Sequence, residues 1–253
     1  MADARLVEIF SSIQGEGIYV GQRQVFVRTY GCNIRCIYCD SPETLKESPL
    51  PSSCRVEDPP GSWNFKLVEN PISCETLTSL VQSYLSSPHH SLSVTGGEPL
   101  LHVKFLQEWL PEMKSIGLPV CLETNGLLAD HLGRVVHDIH TVSMDIKAPS
   151  ATGLSPEDTW DKHSKFLSIA RSTNVYVKLV ITPSTTDSEL LLAAELIRCV
   201  DKSIPLILQP VTPFGKEAKT VTPARMLELH ALASSQISDV RVIPQTHRML
   251  QFL

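Results

Sequence analysis

No stretch of this 253-residue sequence approaches the ~20 consecutive apolar residues that a membrane-spanning helix requires. Residues 1–12 carry acids and no apolar core, so a signal peptide is not expected and a cytoplasmic setting is. A basic excess is also missing: 22 lysines and arginines stand against 27 acids, a formal charge of −5. That argues against broad nucleic-acid binding, which needs a basic face. There is no internal repeat and no low-complexity tract. The cysteine count, seven, is odd, which speaks against a secreted disulfide framework in a chain of this length. What is present, 42% hydrophobic and 19% charged residues, suits a folded chain with a sizeable core.

From Arg23 onward, short β-branched runs alternate with amphipathic segments. Strands are expected over 24–30, 91–95, 119–123, 141–146, 175–181, 204–209 and 239–243. Leu77, Leu80, Val81, Tyr84 and Leu85 share one helical face, and Leu106, Trp109, Leu110 and Met113 share another. Ser155-Pro156-Glu157-Asp158 and Thr222-Pro223 read as helix starts. Such alternation implies βαβ units and a parallel sheet, in one α/β domain spanning residues 1–253. Between Ser41 and Ser73 lie six of the 18 prolines. A Pro-rich insertion with little regular structure is expected over about residues 43–73.

The strongest local signal is Cys32-Asn33-Ile34-Arg35-Cys36-Ile37-Tyr38-Cys39, a C-x3-C-x2-C run. Thiolates are soft ligands that suit iron–sulfur clusters or zinc. A structural zinc site wants four closed ligands, and only three thiols cluster here. Three ligands on a [4Fe–4S] cluster leave one iron open. A zinc knuckle with a distant fourth ligand is the competing reading. Thr95-Gly96-Gly97-Glu98-Pro99 follows a predicted strand, and its paired glycines let backbone approach a ligand closely. The cysteine run, 95–99, 123–126, 145–147 and 209–213 all follow the C-terminal ends of predicted strands. That end of a parallel α/β barrel holds the active site. Six strands with helices outside imply an incomplete (β/α)6 barrel.

C-x3-C-x2-C followed by T-G-G-E-P resembles the radical S-adenosylmethionine (SAM) superfamily. Phe10-Ser11-Ser12-Ile13-Gln14-Gly15-Glu16-Gly17 and Pro244-Gln245-Thr246-His247 narrow the likeness to the 7-carboxy-7-deazaguanine synthase family of the queuosine pathway. The resemblance covers nearly the whole chain. It implies a lyase with a [4Fe–4S] cluster on Cys32, Cys36 and Cys39, SAM on the open iron, and Mg2+. Reductive cleavage of SAM would give a 5′-deoxyadenosyl radical. The substrate would be 6-carboxy-5,6,7,8-tetrahydropterin, contracted to 7-carboxy-7-deazaguanine with loss of ammonia.

The same resemblance assigns SAM contacts to Tyr38, Cys39, Asp40, Gly97, Ser143, Met144 and Asp145, with Lys147 close by. It assigns the pterin to Ile13, Gln14, Gly15, Arg28 and Thr95, with Glu16 as a further acid. Compact members also place a matching histidine and the terminal carboxylate at the pterin, here His247 and Leu253. Ser41 stands where the family more often has threonine and would supply a hard oxygen to Mg2+. Cys54, Cys74, Cys121 and Cys199 are expected to be unligated. A reductant such as flavodoxin or ferredoxin and a homodimer are expected; direct nucleic-acid or membrane contact is not. Two other readings stay open: a glycyl-radical-enzyme activase, and a non-enzyme such as an iron–sulfur electron carrier or a zinc-stapled module.

Overall fold

A computed structural model of the chain describes residues 2–45 and 50–252. The strands are β1 (Asp3–Ala4), β2 (Leu6–Ile13), β3 (Arg23–Thr29), β4 (Ser53–Glu57), β5 (Phe65–Glu69), β6 (Ile72–Ser73), β7 (Ser91–Gly96), β8 (Val120–Thr124), β9 (Thr141–Ile146), β10 (Asn174–Ile181), β11 (Leu206–Pro210) and β12 (Val240–Val242). The α-helices are α1 (Cys74–Tyr84), α2 (Val103–Ile116), α3 (Ala129–Gly133), α4 (Pro149–Thr152), α5 (Pro156–Ala170), α6 (Asp187–Asp201), α7 (Pro223–Ser234) and α8 (Thr246–Leu250). Among the described residues no helix is long and apolar enough to cross a membrane.

Ten strands form one sheet in the order β12-β11-β10-β9-β8-β7-β3-β2-β4-β5, and β1 pairs with β6. Neighbours from β3 through β7 to β11 are parallel, which is the expected six-stranded run, and β12 adds a short seventh strand. The sheet curls as a barrel that does not close, with β12 and β5 at its two ends. Alternation along the strands divides its two faces. Leu92 and Val94, Leu122, Val142 and Met144, and Val177 and Leu179 join the core under the helices. Their neighbours Thr95, Glu123, Ser143, Asp145 and Lys178 line the barrel interior. The interior is therefore polar and open to chemistry, while helices and strands share the apolar layer outside it.

Helix ends follow local chemistry. Thr186 and Glu189 form a reciprocal capping box at the start of α6, and the Thr222 hydroxyl accepts from the Arg225 N–H at the start of α7. Gly117 ends α2 in the left-handed region (φ 81°), which only glycine adopts without penalty.

Two elements differ from the sequence-based expectation. Residues 6–13 form a strand, antiparallel to β3. The Pro-rich stretch is not irregular: β4 and β5 pair antiparallel, and β4 joins the sheet parallel to β2. The described prolines Pro51, Pro59, Pro60 and Pro71 lie outside these strands, where a missing N–H costs nothing to the ladder. Pro49 lies outside the described residues. The buried Glu57 carboxylate pins the hairpin: one oxygen accepts from the Ser11 N–H and the other from the Trp63 N–H, both at 2.9 Å. The Asn70 amide brackets Leu6, accepting from its N–H (3.1 Å) and donating to its carbonyl (2.8 Å).

Glu57→Ala should leave both backbone donors without that partner and cost about 2–3 kcal/mol in urea-induced unfolding. Equal midpoints for variant and wild type would mean that this carboxylate does not hold the hairpin.

Candidate active site

One cavity of about 360 Å³ opens at the C-terminal ends of the parallel strands. The cysteine loop follows β3 and forms one wall, with Cys32, Cys36, Tyr38, Cys39, Asp40 and Ser41 on the lining. Burial pushes the Cys36 thiol up to about 11 and raises Cys32 and Cys39 as well. These groups are thiols at neutral pH unless a cation displaces their protons. The Lys147 ammonium sits 5.4 Å from the centre of the Tyr38 ring.

Glu98 ties this loop to its neighbours. Its side chain is fully buried and accepts from the Leu100 N–H (3.0 Å), the Thr124 hydroxyl (2.8 Å) and the Asn125 N–H (2.8 Å). The Asn125 amide then donates to the Asn33 side chain (2.8 Å), inside the cysteine run. The Glu98 N–H donates to the Gly31 carbonyl (2.8 Å). A Cβ on Gly97 would lie 2.1 Å from that same carbonyl oxygen, so only glycine lets the two loops meet. Burial pushes the Glu98 carboxyl up to about 7, against the opposing pull of its hydrogen bonds.

On the opposite wall, Glu123 accepts from Gln14 (2.8 Å), Ser93 (2.7 Å) and Thr95 (3.0 Å). The second Gln14 amide bond goes to Gln24 (2.9 Å), and the Gln14 carbonyl oxygen accepts from the Glu16 N–H (2.9 Å). Both Gln14 donors are thus committed within the protein. Its side chain therefore frames the wall. Arg28 donates through Nε to Glu8 (2.8 Å), and its Nη1 lies 3.4 Å from Ser41 Oγ. The Thr246 N–H donates to the Gly15 carbonyl at 2.9 Å. A Cβ on Gly15 would fall within 2.6 Å of His247 atoms, so the C-terminal segment seats directly on the residue 13–17 turn.

Between the two walls runs a chain of alternating charge. Lys147 pairs with Asp145 (2.6 Å), and Lys178 reaches both Asp145 (3.5 Å) and Glu16. Gln245 donates to Glu16 (2.7 Å) and Asp40 (3.0 Å), and Arg248 to Asp40 (3.3 Å). Burial raises the Glu16 carboxyl, but Lys178 and Gln245 outweigh it and hold it below its ordinary value. Asp145 is likewise held low by Lys147 and Lys178 against burial.

Of the residues singled out from the sequence, Ile13, Gln14, Gly15, Arg28, Cys32, Cys36, Tyr38, Cys39, Asp40, Ser41, Thr95, Gly97, Ser143, Asp145 and His247 line this cavity. Met144 does not: it belongs to the core under the helices, because strand alternation turns it away from its neighbours Ser143 and Asp145. Leu253 lies outside the described residues. Cys54, Cys74 and Cys121 are buried, and Cys199 is exposed; none lines the cavity. The sequence reading passed over Lys178 and His163. A lone charge in the apolar run 175–181 was the available signal for Lys178. His163, which accepts from the Lys147 N–H (3.1 Å) and contacts the Gly126 carbonyl (3.1 Å), has no such mark in the sequence.

A barrel of this kind with three thiols at its rim defines a class. The family model of the radical SAM superfamily matches residues 26–197, and the chain is a radical SAM protein. It is 44% identical to a 7-carboxy-7-deazaguanine synthase of Geobacter sulfurreducens, over 98% of this chain and 97% of that one. It is 38% identical to one of Methanothermobacter thermautotrophicus, again over 98% and 97%. The chain belongs to the 7-carboxy-7-deazaguanine synthase family. Its fold is similar to a crystal structure of QueE from Escherichia coli, with TM-score 0.60 and 18% identity over 96% of this chain and 94% of that one. A structure of Streptococcus suis SuiB bound to S-adenosylmethionine gives TM-score 0.56 at 12% identity, over 86% of this chain and 46% of that one.

The residues present fit the cofactors of this family, a [4Fe–4S] cluster and SAM. The three soft donors share one wall beside the Gly97 cradle. Among the described residues, the ligand atoms found within 4.8 Å of one another belong to Glu16, Asp40 and His247, not to the three cysteines. The thiols are thus spread more widely than a single tetrahedral zinc ion demands. Among the described residues, Asp145 Oδ1 and Gln209 Oε1 are buried without a hydrogen-bond partner, and both residues line the cavity. Such groups are stabilised by donors from a bound ligand.

Glu98→Gln should destabilise the protein, because the amide turns a donor toward the Asn125 or Leu100 N–H. The raised Glu98 carboxyl contributes stability fully present below about pH 4.5 and lost as pH rises through about 7. Glutamine has no such titration. The stability gap between wild type and variant should therefore narrow across this window, by up to about 3 kcal/mol. Parallel pH profiles in chemical denaturation would show that Glu98 titrates normally.

Proposed function

We propose that the chain converts 6-carboxy-5,6,7,8-tetrahydropterin to 7-carboxy-7-deazaguanine with release of ammonia, a lyase step of queuosine and 7-deazapurine biosynthesis. The observation that carries this reading is one cavity whose lining holds three soft thiols together with Arg28, Ser41, Glu16 and His247. The 44% identity to a named synthase supports it.

Cys32, Cys36 and Cys39 would hold the cluster. Tyr38, Asp40, Gly97, Ser143 and Asp145 would surround SAM, with Asn125 and Lys147 beside them. When bound, cluster and SAM supply the radical that starts the reaction. The chain binds, orients and shields the reactants. Arg28 would receive the substrate carboxylate on its Nη groups, since Nε is held by Glu8. The 3.4 Å approach of Arg28 to Ser41 puts a cationic fork and a hard oxygen side by side. One substrate carboxylate there would meet both Arg28 and a Mg2+ ion on Ser41. Ile13, Gly15, Glu16, Thr95 and His247 would border the ring, and Gln14 would hold this wall through Glu123.

The enzyme acts on a small molecule and needs a reductant. A flavodoxin or ferredoxin as that reductant, a homodimer, a cytoplasmic setting and a single domain over residues 1–253 belong to the same proposal.

Anaerobic reconstitution with iron and sulfide, then product analysis with SAM, Mg2+ and the carboxytetrahydropterin, tests the reading. Deazaguanine and ammonia are expected. SAM cleavage without deazaguanine would favour another radical SAM class. Replacing Cys32, Cys36 or Cys39 by alanine should each abolish the cluster absorbance, whereas alanine at Cys54, Cys74, Cys121 or Cys199 should preserve it. Arg28→Lys should raise substrate KM more than tenfold, about 1.5–3 kcal/mol, with SAM binding unchanged. A normal KM would remove Arg28 from the substrate site.

A further inference from the structure

Lys178 is the charged residue in a strand that otherwise reads Val-Tyr-Val-Leu-Val-Ile over 175–181. It is 8% exposed and points into the cavity, while Val177 and Leu179 fill the core on the other face. Burying an ammonium is costly, and packing gives no reason for it here. Its partners are Glu16, on the residue 13–17 turn, and Asp145, on β9.

The two partners need it unequally. Lys147 already neutralises Asp145 at 2.6 Å, against 3.5 Å for Lys178. Among the described residues, the cationic side chain paired with Glu16 is Lys178 alone. Lys178 holds one oxygen of that carboxylate, and the Gln245 amide holds the other at 2.7 Å. The carboxylate is therefore fixed in orientation, and each oxygen keeps a lone pair for donors within the cavity.

We propose that Lys178 is a positioning residue that keeps Glu16 charged and aimed at N–H donors on the pyrimidinone edge of the substrate. This rests on the pterin reading of the cavity. The charged and titratable groups around the pair are Asp145 of β9, Lys147 just after that strand, Glu123 from β8, Asp40 of the cysteine loop, and His247 of the C-terminal segment. Neither Lys147 nor His247 forms an ion pair with Glu16 among the described residues, so Lys178 is the group whose removal frees that carboxylate to take up a proton.

Lys178→Met keeps the side-chain length and removes the charge. Substrate Kd by calorimetry and KM should both rise about tenfold or more, with SAM affinity changed less than about threefold. KM of the variant should worsen as pH falls below neutrality, as Glu16 protonates, while wild type stays flat. Lys178→Gln should behave like Lys178→Met, and Lys178→Arg should recover most of the affinity. In Glu16→Gln, adding Lys178→Met should cost little more. Wild-type binding of the pterin with unchanged affinity in Lys178→Met and Lys178→Gln would overturn the proposal and leave the pterin reading intact. So would equal losses of SAM and substrate affinity, or additive effects in the double variant. Failure of wild type to bind the pterin would overturn both.

Discussion

The site depends on one buried carboxylate. Glu98 sits at zero exposure and is tolerated there because three donors converge on it. Those donors come from two loops, and through Asn125 the network reaches Asn33 in the cysteine run. The Thr95–Pro99 loop, the Glu123–Gly126 loop and the cysteine run are thereby fixed relative to one another. A desolvated carboxylate makes the arrangement strict, since any displacement leaves a charge or an N–H without a partner. Gly97 adds a steric condition at the same contact. The cysteine run and the Gly97 backbone, proposed above to hold cluster and SAM, are thus fixed by the protein's own hydrogen bonds.

The cavity floor follows the same logic with more members. Asp145, Glu16 and Asp40 each pair with a cation or amide of another residue. Buried ion pairs contribute little to net stability, because desolvation offsets the attraction. Their value here is geometric: alternating charges fix the spacing between β9, β10, the residue 13–17 turn and the C-terminal segment. A preorganised polar interior of this kind binds a polar ring without paying for rearrangement on binding. Two acceptors on this lining, Asp145 Oδ1 and Gln209 Oε1, have no hydrogen-bond partner among the described residues.

The periphery supports the same chamber. The β4–β5 hairpin is anchored by Glu57 and Asn70, and its Trp63 lies 6.1 Å from the Phe252 ring, which lines the cavity. The insertion and the C-terminal segment therefore meet at the cavity's edge. Phe252 also donates its N–H to the His247 carbonyl, closing the turn after α8.

Local chemistry alone determined the parallel strands and the main helices. Residues 141–146 form the expected strand, Pro156 opens the expected α5 in its first turn, and Thr222 caps α7, because alternation, prolines and capping residues act over a few neighbours. The cysteine run and Thr95–Pro99 were legible for a similar reason: spacing within one loop is a property of the chain. Tertiary structure decided what depends on partners distant in sequence. Gln14 was legible only as a residue of a motif, and the fold gives both of its donors to Gln24 and Glu123. Met144 stood in a plausible motif until the strand's pleat turned it outward. Residues 43–73 looked irregular because their prolines were visible, while β2, which β4 joins in the sheet, lies 47 residues earlier (Glu8 opposite Arg55). Lys178 acquired meaning only when folding brought it to Glu16, 162 residues away. Pairing energy inside a low-dielectric cavity depends on distance in space, and a sequence records only distance along the chain.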